Sequence, residues 1–479
     1  MNLLFLVNLI SILSIVIINN NKYMINKHIY IKKIGLLTTI IALYAGLYIN
    51  YNFNNDVFGY QFLTNYLDIN WGIDGISLWL INLNLILVPL AILSNWNNLD
   101  KEKIFIYIII MILLGFIITL NFICLDLISF YILFEATLIP LFILIHIFGS
   151  NNKEKAAYYI FIFTLFSSLF MLLSIGIYIY LIGNIDFINV HNVVLSIDLQ
   201  SLLFIGLIIG IAVKTPIFPV HTWLPLVHAE SPIGGSILLA GIIIKLAIYA
   251  IIRLLLVNLS DAVIIYNPLI YTIAIITLFY IGFITLKQVD IKVIIAYSSI
   301  VHMTIAILSV FSGNVLGIEG SLLLCVAHGL TSPALFVLVG AILYDRYHTR
   351  FIYYYQSLAT YMPIFSVYLL IAGLFNMGLP LSANFIGEFI SINGIFVYNT
   401  LFAILSTFSI FITAVYQLKL TTKMLYGYKS IYINVVKDVN KRELLILNIL
   451  FFFILLIGIL PSLLTNTFSM SVSSLIYMI

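Results

Sequence analysis

Charge and cysteine are both scarce in this chain, and each scarcity excludes whole classes of protein. Only 8% of its 479 residues are charged and 63% are hydrophobic, with a mean hydropathy of +1.18, so no water-soluble globular class fits. The two cysteines, Cys124 and Cys325, stand far apart in apolar stretches and are expected as core residues inside helices. They leave no C-x-x-C pair, no Fe–S ligand run and no haem attachment motif. No glycine-rich nucleotide loop follows a strand, and no ligand pair has the spacing of a metal site. The chain is therefore expected to carry no electrons and no cofactor of its own. No long polar linker divides it, so a single membrane bundle is expected, with the lipid bilayer as its surroundings and no nucleic-acid partner.

What is present in quantity is apolar sequence of membrane-crossing length. About fourteen runs have the roughly 17–25 residues needed to cross a bilayer as a helix: 3–19, 34–51, 73–95, 104–120, 123–148, 156–183, 200–226, 232–257, 267–287, 291–310, 320–344, 362–397, 400–426 and 444–467. The fold class is all-α and polytopic. The N-terminus has neither a charged leader nor a cleavage site and reads as the first retained helix. The placement of cations is more telling than the net charge of +3. Of 21 Lys and Arg, three (Lys214, Lys245 and Arg253) lie deep within spans, and the other 18 all lie in connections following odd-numbered spans or in the span ends that border those connections. Connections after even-numbered spans carry acids and no cation, among them Asp56, Asp68, Asp186, Asp198, Asp261 and Glu319. The positive-inside rule then puts both termini on the outer side and requires an even number of crossings. Abundant Ile, Asn, Tyr, Phe and Lys, with Lys far above Arg, suggest an AT-rich coding genome of the kind found in organelles.

Two of the spans are interrupted. Pro216, Pro219 and Pro225 break the run SLLFIGLIIGIAVKTPIFPVHTWLP, and Pro380 breaks NMGLPLSANFIGEF. Each break occupies the fourth helix of a five-helix unit, and five crossings turn the second unit over relative to the first. Paired interruptions of this sort point to inverted repeats. The expected divisions are 1–103 (helices 1–3), 104–257 (first repeat, helices 4–8), 258–430 (second repeat, helices 9–13) and 431–479 (helix 14).

Ionisable side chains at membrane depth mark the chemistry. A cation at the bilayer centre costs about 2.5–3.5 kcal/mol on insertion scales, so Lys214, just ahead of the first break, needs a partner or a polar interior. Glu135 lies deep in LISFYILFEATLIPLFILIHIF, out of snorkelling range, and is the natural partner for Lys214. Lys245 is central in LLAGIIIKLAIYAIIRLLL, and His302 and His328 are central in consecutive helices. Glu388 follows the second break and is expected as the outlet of the path. His221, His228 and Glu230, in PVHTWLPLVHAESP, are expected at an inlet near the membrane boundary. Glu, Lys and His are the side chains that burial and neighbouring charge bring to proton exchange near neutral pH. Spread over successive helices, they suit a relay for protons better than a pocket for an organic solute.

The stretches FEATLIP, KTPIFPVHTWLPLVHAESP, KLAIYAIIR, QVDIKVIIAYSSIVHM, AHGLTSPALFVLVGAILYDRYHTR and LPLSANFIGEF, in this order between about residues 73 and 430, resemble the antiporter-like membrane subunits of respiratory complex I. The resemblance implies fourteen helices, two inverted repeats, broken helices 7 and 12, and proton half-channels. By matched motif, Glu135 would be the helix 5 glutamate, Lys214 its helix 7 partner and Lys245 the central helix 8 lysine. His328 would join the halves and Glu388 would be the terminal carboxylate. Sister subunits generally place Lys at that last position, and together with the absence of a long lateral helix this favours subunit 4 over subunits 2 and 5. Leu226 stands where the family usually has a charged residue, with Val227 in place of Ala, so no charged role is expected there. The implied function is proton translocation within NADH:ubiquinone oxidoreductase, with FMN, Fe–S clusters and ubiquinone on partner subunits, in the mitochondrial inner membrane with Lys-rich loops toward the matrix, or in a bacterial plasma membrane. A multisubunit cation/proton antiporter and a non-conducting spacer subunit are the competing readings.

Overall fold

Inside hydrocarbon a backbone amide finds no water, so a chain this apolar closes its hydrogen bonds within helices. The computed structural model describes residues 2–20, 26–66, 68–97, 99–183, 186–187, 195–428, 430, 432 and 437–478; Lys22 and Lys429, two of the loop cations, lie outside the described residues. The helices run α1 (Asn2–Asn20), α2 (Lys27–Asn52), α3 (Gly75–Ser94), α4 (Ile104–Ile123), α5 (Leu127–Ala136), α6 (Leu138–Phe148), α7 (Lys153–Ile182), α8 (Ile197–Lys214) and α9 (Trp223–Glu230). They continue with α10 (Ile233–Leu256), α11 (Ser260–Lys287), α12 (Ile291–Val310), α13 (Val315–Tyr347), α14 (Pro363–Asn376), α15 (Ala383–Tyr398), α16 (Thr400–Leu425), α17 (Lys441–Ile459) and α18 (Ser462–Met478). Among the described residues, 12 helices are long and apolar enough to cross a membrane, counting α5 and α6 as one, and Leu4–Asn20 and Pro363–Asn376 are shorter apolar helices.

Burial orders these helices. The apolar windows of α10 and α13 are 100% buried, whereas that of α7 is 39% buried and turns Phe166, Leu173 and Tyr180 outward. The helices carrying Lys245 and His328 thus form the centre, where an ionisable group cannot reach lipid or water without crossing another helix.

Both interruptions are real, with one correction. α8 ends at Lys214 and α9 starts at Trp223, with Pro216 and Pro219 between them. Pro225 does not break anything: it lies in the first turn of α9, where a missing N–H removes no helical bond. The second break separates α14 from α15, with Pro380 inside it.

Three further expectations change. Among the described residues the all-α fold includes one antiparallel hairpin, β1 (Gln61–Tyr66) and β2 (Ile69–Ile73), with Thr64 opposite Trp71. Its local pattern was hidden by the apolar run that follows it. Cys124 is not inside a helix; it follows the end of α4 and bridges to Trp71. The last span, taken as one over 444–467, is two helices, because Pro461 cannot continue α17 and α18 begins just after it.

The connections gather on two faces. Asn70 donates from its backbone to Asp126 Oδ2 at 3.0 Å and from its side chain to Asp186 Oδ1 at 2.8 Å, and Gln200 donates to Asp261 at 3.0 Å, joining connections that follow even-numbered spans. Connections following odd-numbered spans meet elsewhere, through Arg346 with Glu443 at 2.7 Å and Arg350 with Glu230 at 3.2 Å.

Candidate functional site

The centre of the site is built by a close crossing of α10 and α13. A Cβ on Gly329 would stand 2.7 Å from the Gly241 carbonyl oxygen, so only glycine permits the approach. His328 precedes that glycine, and Lys245 lies one turn beyond Gly241. The result is a contact between Lys245 Nζ and His328 Nδ1 of 2.9 Å, with both side chains 0% exposed. Lys245 also donates to the Ala240 carbonyl. That carbonyl belongs to a π-helical turn, Leu239–Ile243, and a second π-helical stretch, Ile251–Leu256, follows Lys245. Widened turns loosen the regular i to i−4 ladder and frequently accompany functional sites.

The line continues from His328. Its ring lies 5.4 Å from the ring of His302 on α12, centroid to centroid. His302 Nδ1 lies 2.9 Å from Glu388 Oε1 on α15, an ion-pair distance without hydrogen-bond alignment. Room for that carboxylate comes from the second break: Gly378 has φ of +73°, and a Cβ there would stand 2.9 Å from Glu388 Oε2. Four sequence-predicted residues, Lys245, His328, His302 and Glu388, therefore form one buried series across four helices. His302 Nε2, His328 Nε2 and both ring nitrogens of His228 have no hydrogen-bond partner among the described residues. An unpaired buried polar atom costs about 1–3 kcal/mol, so several in one series call for a functional reason. Each imidazole can hold a proton on either nitrogen, which makes the series a line along which a proton can be handed on.

His228 is placed differently from expectation. It is wholly buried, stacked on Phe336 with centroids 4.7 Å apart, and Lys245 and Lys292 are the charges that act on it. His221 makes no ring contact with the line among the described residues. Its ring is buried among Phe218, Tyr280 and Tyr297, with centroids at 6.0, 6.0 and 6.4 Å. Glu230, the third residue expected at an inlet, is held by hydrogen bonds and an ion pair. It accepts from Ser150 and from the Asn152 N–H, and Arg350 reaches it at 3.2 Å. Burial works against its charge, but these partners outweigh it and hold the carboxyl below the usual range. Glu230 lines a cavity of about 380 Å³ with Lys103, Ser150, Lys153, Lys292 and Asp345.

Lys292 was missed as a site residue because it counted as a loop cation. It is buried in the first turn of α12, donates to the Ser231 carbonyl at 3.3 Å, and lies 5.2 Å from the Tyr344 ring centroid. The available signal was Asp290, whose side chain caps the helix by accepting from the Lys292 N–H at 2.9 Å and so puts Lys292 inside the helix. Lys292 lines the cavity, and His228 lies within electrostatic reach of both Lys292 and Lys245.

Glu135 and Lys214 form a second, separate group. They are not in direct ion-pair contact: Lys214 Nζ donates to the Phe134 carbonyl at 2.6 Å and lies 3.2 Å from the Phe134 ring centroid. Glu135 remains within electrostatic reach of Lys214 and beside Ser168. The break after Lys214 ends α8 there and lets the side chain fold onto α5. No hydrogen bond or ion pair among the described residues joins Lys214 to Lys245.

Comparison with known proteins shows the family and the fold. Residues 124–413 match the family model described as NADH:quinone oxidoreductase/Mrp antiporter, TM. NADH-ubiquinone oxidoreductase chain 4 of Wickerhamomyces canadensis is 70% identical, covering 98% of this chain and 97% of that protein. A chain of respiratory complex I from Thermus thermophilus superposes with a TM-score of 0.87 at 25% identity over 99% of both chains. A chain of the Mrp complex from Dietzia sp. DQ12-45-1b shares the fold, with a TM-score of 0.88 at 16% identity over 99% of this chain and 98% of that one. With its family-model match spanning both broken helices and the buried line between them, the chain belongs to the antiporter-like membrane subunits of NADH:quinone oxidoreductase, in the chain 4 branch.

Proposed function

We propose that this chain is a proton-translocating membrane-arm subunit of NADH:ubiquinone oxidoreductase. The observation that carries the reading is the continuous buried series Lys245, His328, His302 and Glu388, reached from the Lys-rich face through Lys292 and His228. Protons enter at the cavity beside Glu230, pass along the line, and leave from Glu388. Glu135 and Lys214 act beside it as a charge pair whose separation biases Lys245. Redox energy arrives from partner subunits, which hold FMN, Fe–S clusters and ubiquinone; this chain holds no redox centre and needs none to move a proton. Its neighbours are the other membrane-arm subunits, including sister antiporter-like ones.

Fourteen crossings in the mitochondrial inner membrane, with the Lys-rich connections toward the matrix, complete the proposal. The meeting of odd-numbered connections around one cavity supports it, as does an even count when the two shorter apolar helices are included. The equivalent positions of the two breaks support two inverted repeats over 104–257 and 258–430. The test replaces His328 with Asn in the assembled complex reconstituted into vesicles. Loss of proton pumping is expected, with electron transfer from NADH to a soluble acceptor retained. Normal pumping by the assembled variant would refute the relay.

A further inference from the structure

On the Lys-rich face, the ends of α11 and α16 enclose a second cavity of about 240 Å³, whose lining residue Tyr416 is within electrostatic reach of Glu388 at the end of the proton line. Lys287, Lys419 and Lys423 line it with Gln288, and no Asp or Glu lines it. None of the three lysines has a carboxylate partner among the described residues, and Lys419 donates only to the Leu286 carbonyl, at 2.6 Å. Three like charges around one cleft repel one another, which an anion inside would relieve. The floor offers a further donor: Tyr416 is buried, and its hydroxyl has no well-aligned hydrogen bond, with Ser298 beside it.

Below the cleft, the seam between the same helices is apolar and open. Phe283 is 51% exposed, Phe411 63% and Leu418 49%, and Phe279 and Phe408 meet across the seam at 5.7 Å. A charged cleft at a membrane boundary continuous with an apolar seam matches one kind of molecule, an anionic head with hydrocarbon tails. A soluble anion would satisfy the lysines but leave the seam bare.

We propose that this cleft binds the phosphate of an anionic phospholipid, held by Lys287, Lys419 and Lys423, with its acyl chains along Phe283, Phe411 and Leu418. The test uses the intact complex in phosphatidylcholine vesicles carrying a trace of photoactivatable phosphatidylglycerol, with photoactivatable phosphatidylcholine as the neutral control. Labelling of peptides spanning 279–288 and 408–423 is expected from the anionic probe and at least several-fold less from the neutral one. Lys287→Gln, Lys419→Gln and Lys423→Gln together should abolish the difference, and the corresponding triple Arg variant should keep it. Equal labelling by both probes, or labelling of the Gln variant at the wild-type level, would overturn the proposal. Should the Gln variant not assemble, the two-probe comparison on the wild-type complex decides alone. Removal of the labelling by excess inorganic phosphate would reassign the cleft to the free anion, and cross-links from Lys423 to another subunit would reassign it to a protein partner.

Discussion

Lys245→Arg keeps a cation beside His328 but changes what that cation can do. Arginine stays protonated under any physiological condition, so it can bias the line electrostatically without releasing a proton into it. Its planar fork also does not reproduce the single contact of 2.9 Å to His328 Nδ1. The expected result is a variant that assembles and pumps little better than one lacking the charge; wild-type coupled turnover would show that Lys245 does not release protons. Glu388→Gln is the complementary case. Gln keeps the shape and hydrogen-bonding capacity but loses the charge facing His302 at 2.9 Å. A positioned proton-transfer group typically contributes about a hundredfold or more, so pumping should fall by about a hundredfold while assembly is unchanged. Glu388→Lys, which restores a group able to exchange protons, should retain more function than Gln. An unchanged proton-to-electron ratio in the Gln variant would make Glu388 structural.

At the scale of elements, the hairpin opposite the Lys-rich face has its own titration. Burial above all, and the Asp186 carboxyl beside it, push the Asp126 carboxyl up to about 7. Cys124 and Ser129 are its other polar neighbours, and the Asn70 N–H on β2 bonds it at 3.0 Å. A carboxyl held above its ordinary value keeps a proton in the folded state that the unfolded chain has already released. Stability from this group is therefore lost as pH rises from the usual carboxylate range to about 7, and is constant above that. Hydrogen exchange, corrected for intrinsic rate, should show the Asn70 and Leu125 amides losing protection between about pH 4 and 7. Asp126→Asn should flatten that profile. Protection independent of pH in the wild type would remove the acid pair as its cause.

For the whole molecule, the prediction concerns sidedness. If the Lys-rich connections face the matrix, Lys437 to Arg442 lie there with them, and trypsin added to the outer side of intact mitoplasts should leave this segment uncut. Cleavage there from the intermembrane side would contradict the proposed orientation. The same segment should become accessible once the membrane is opened.

Membrane class, the helical character of nearly every span, both interruptions and the alternation of loop charge were legible in the linear chain, because hydropathy, Pro chemistry and charge placement are local sums over neighbouring residues. So were most of the ionisable residues, since a charge in a long apolar run is conspicuous by itself. What the sequence could not decide is which of them meet. Lys245 and His328 are 83 positions apart and are joined by a crossing that depends on two glycines in different helices. The π-helical turns around Lys245 are made of residues as apolar as any other membrane helix, so no periodicity announces them. Lys292 looked like a loop cation and His228 like a boundary group until packing buried both, and the expected Glu135–Lys214 contact opened because the Phe134 carbonyl took the ammonium first. Composition determined that protonatable groups must lie inside a membrane bundle; only the three-dimensional packing decided their order, because contact between distant helices is set by side-chain volume and backbone approach.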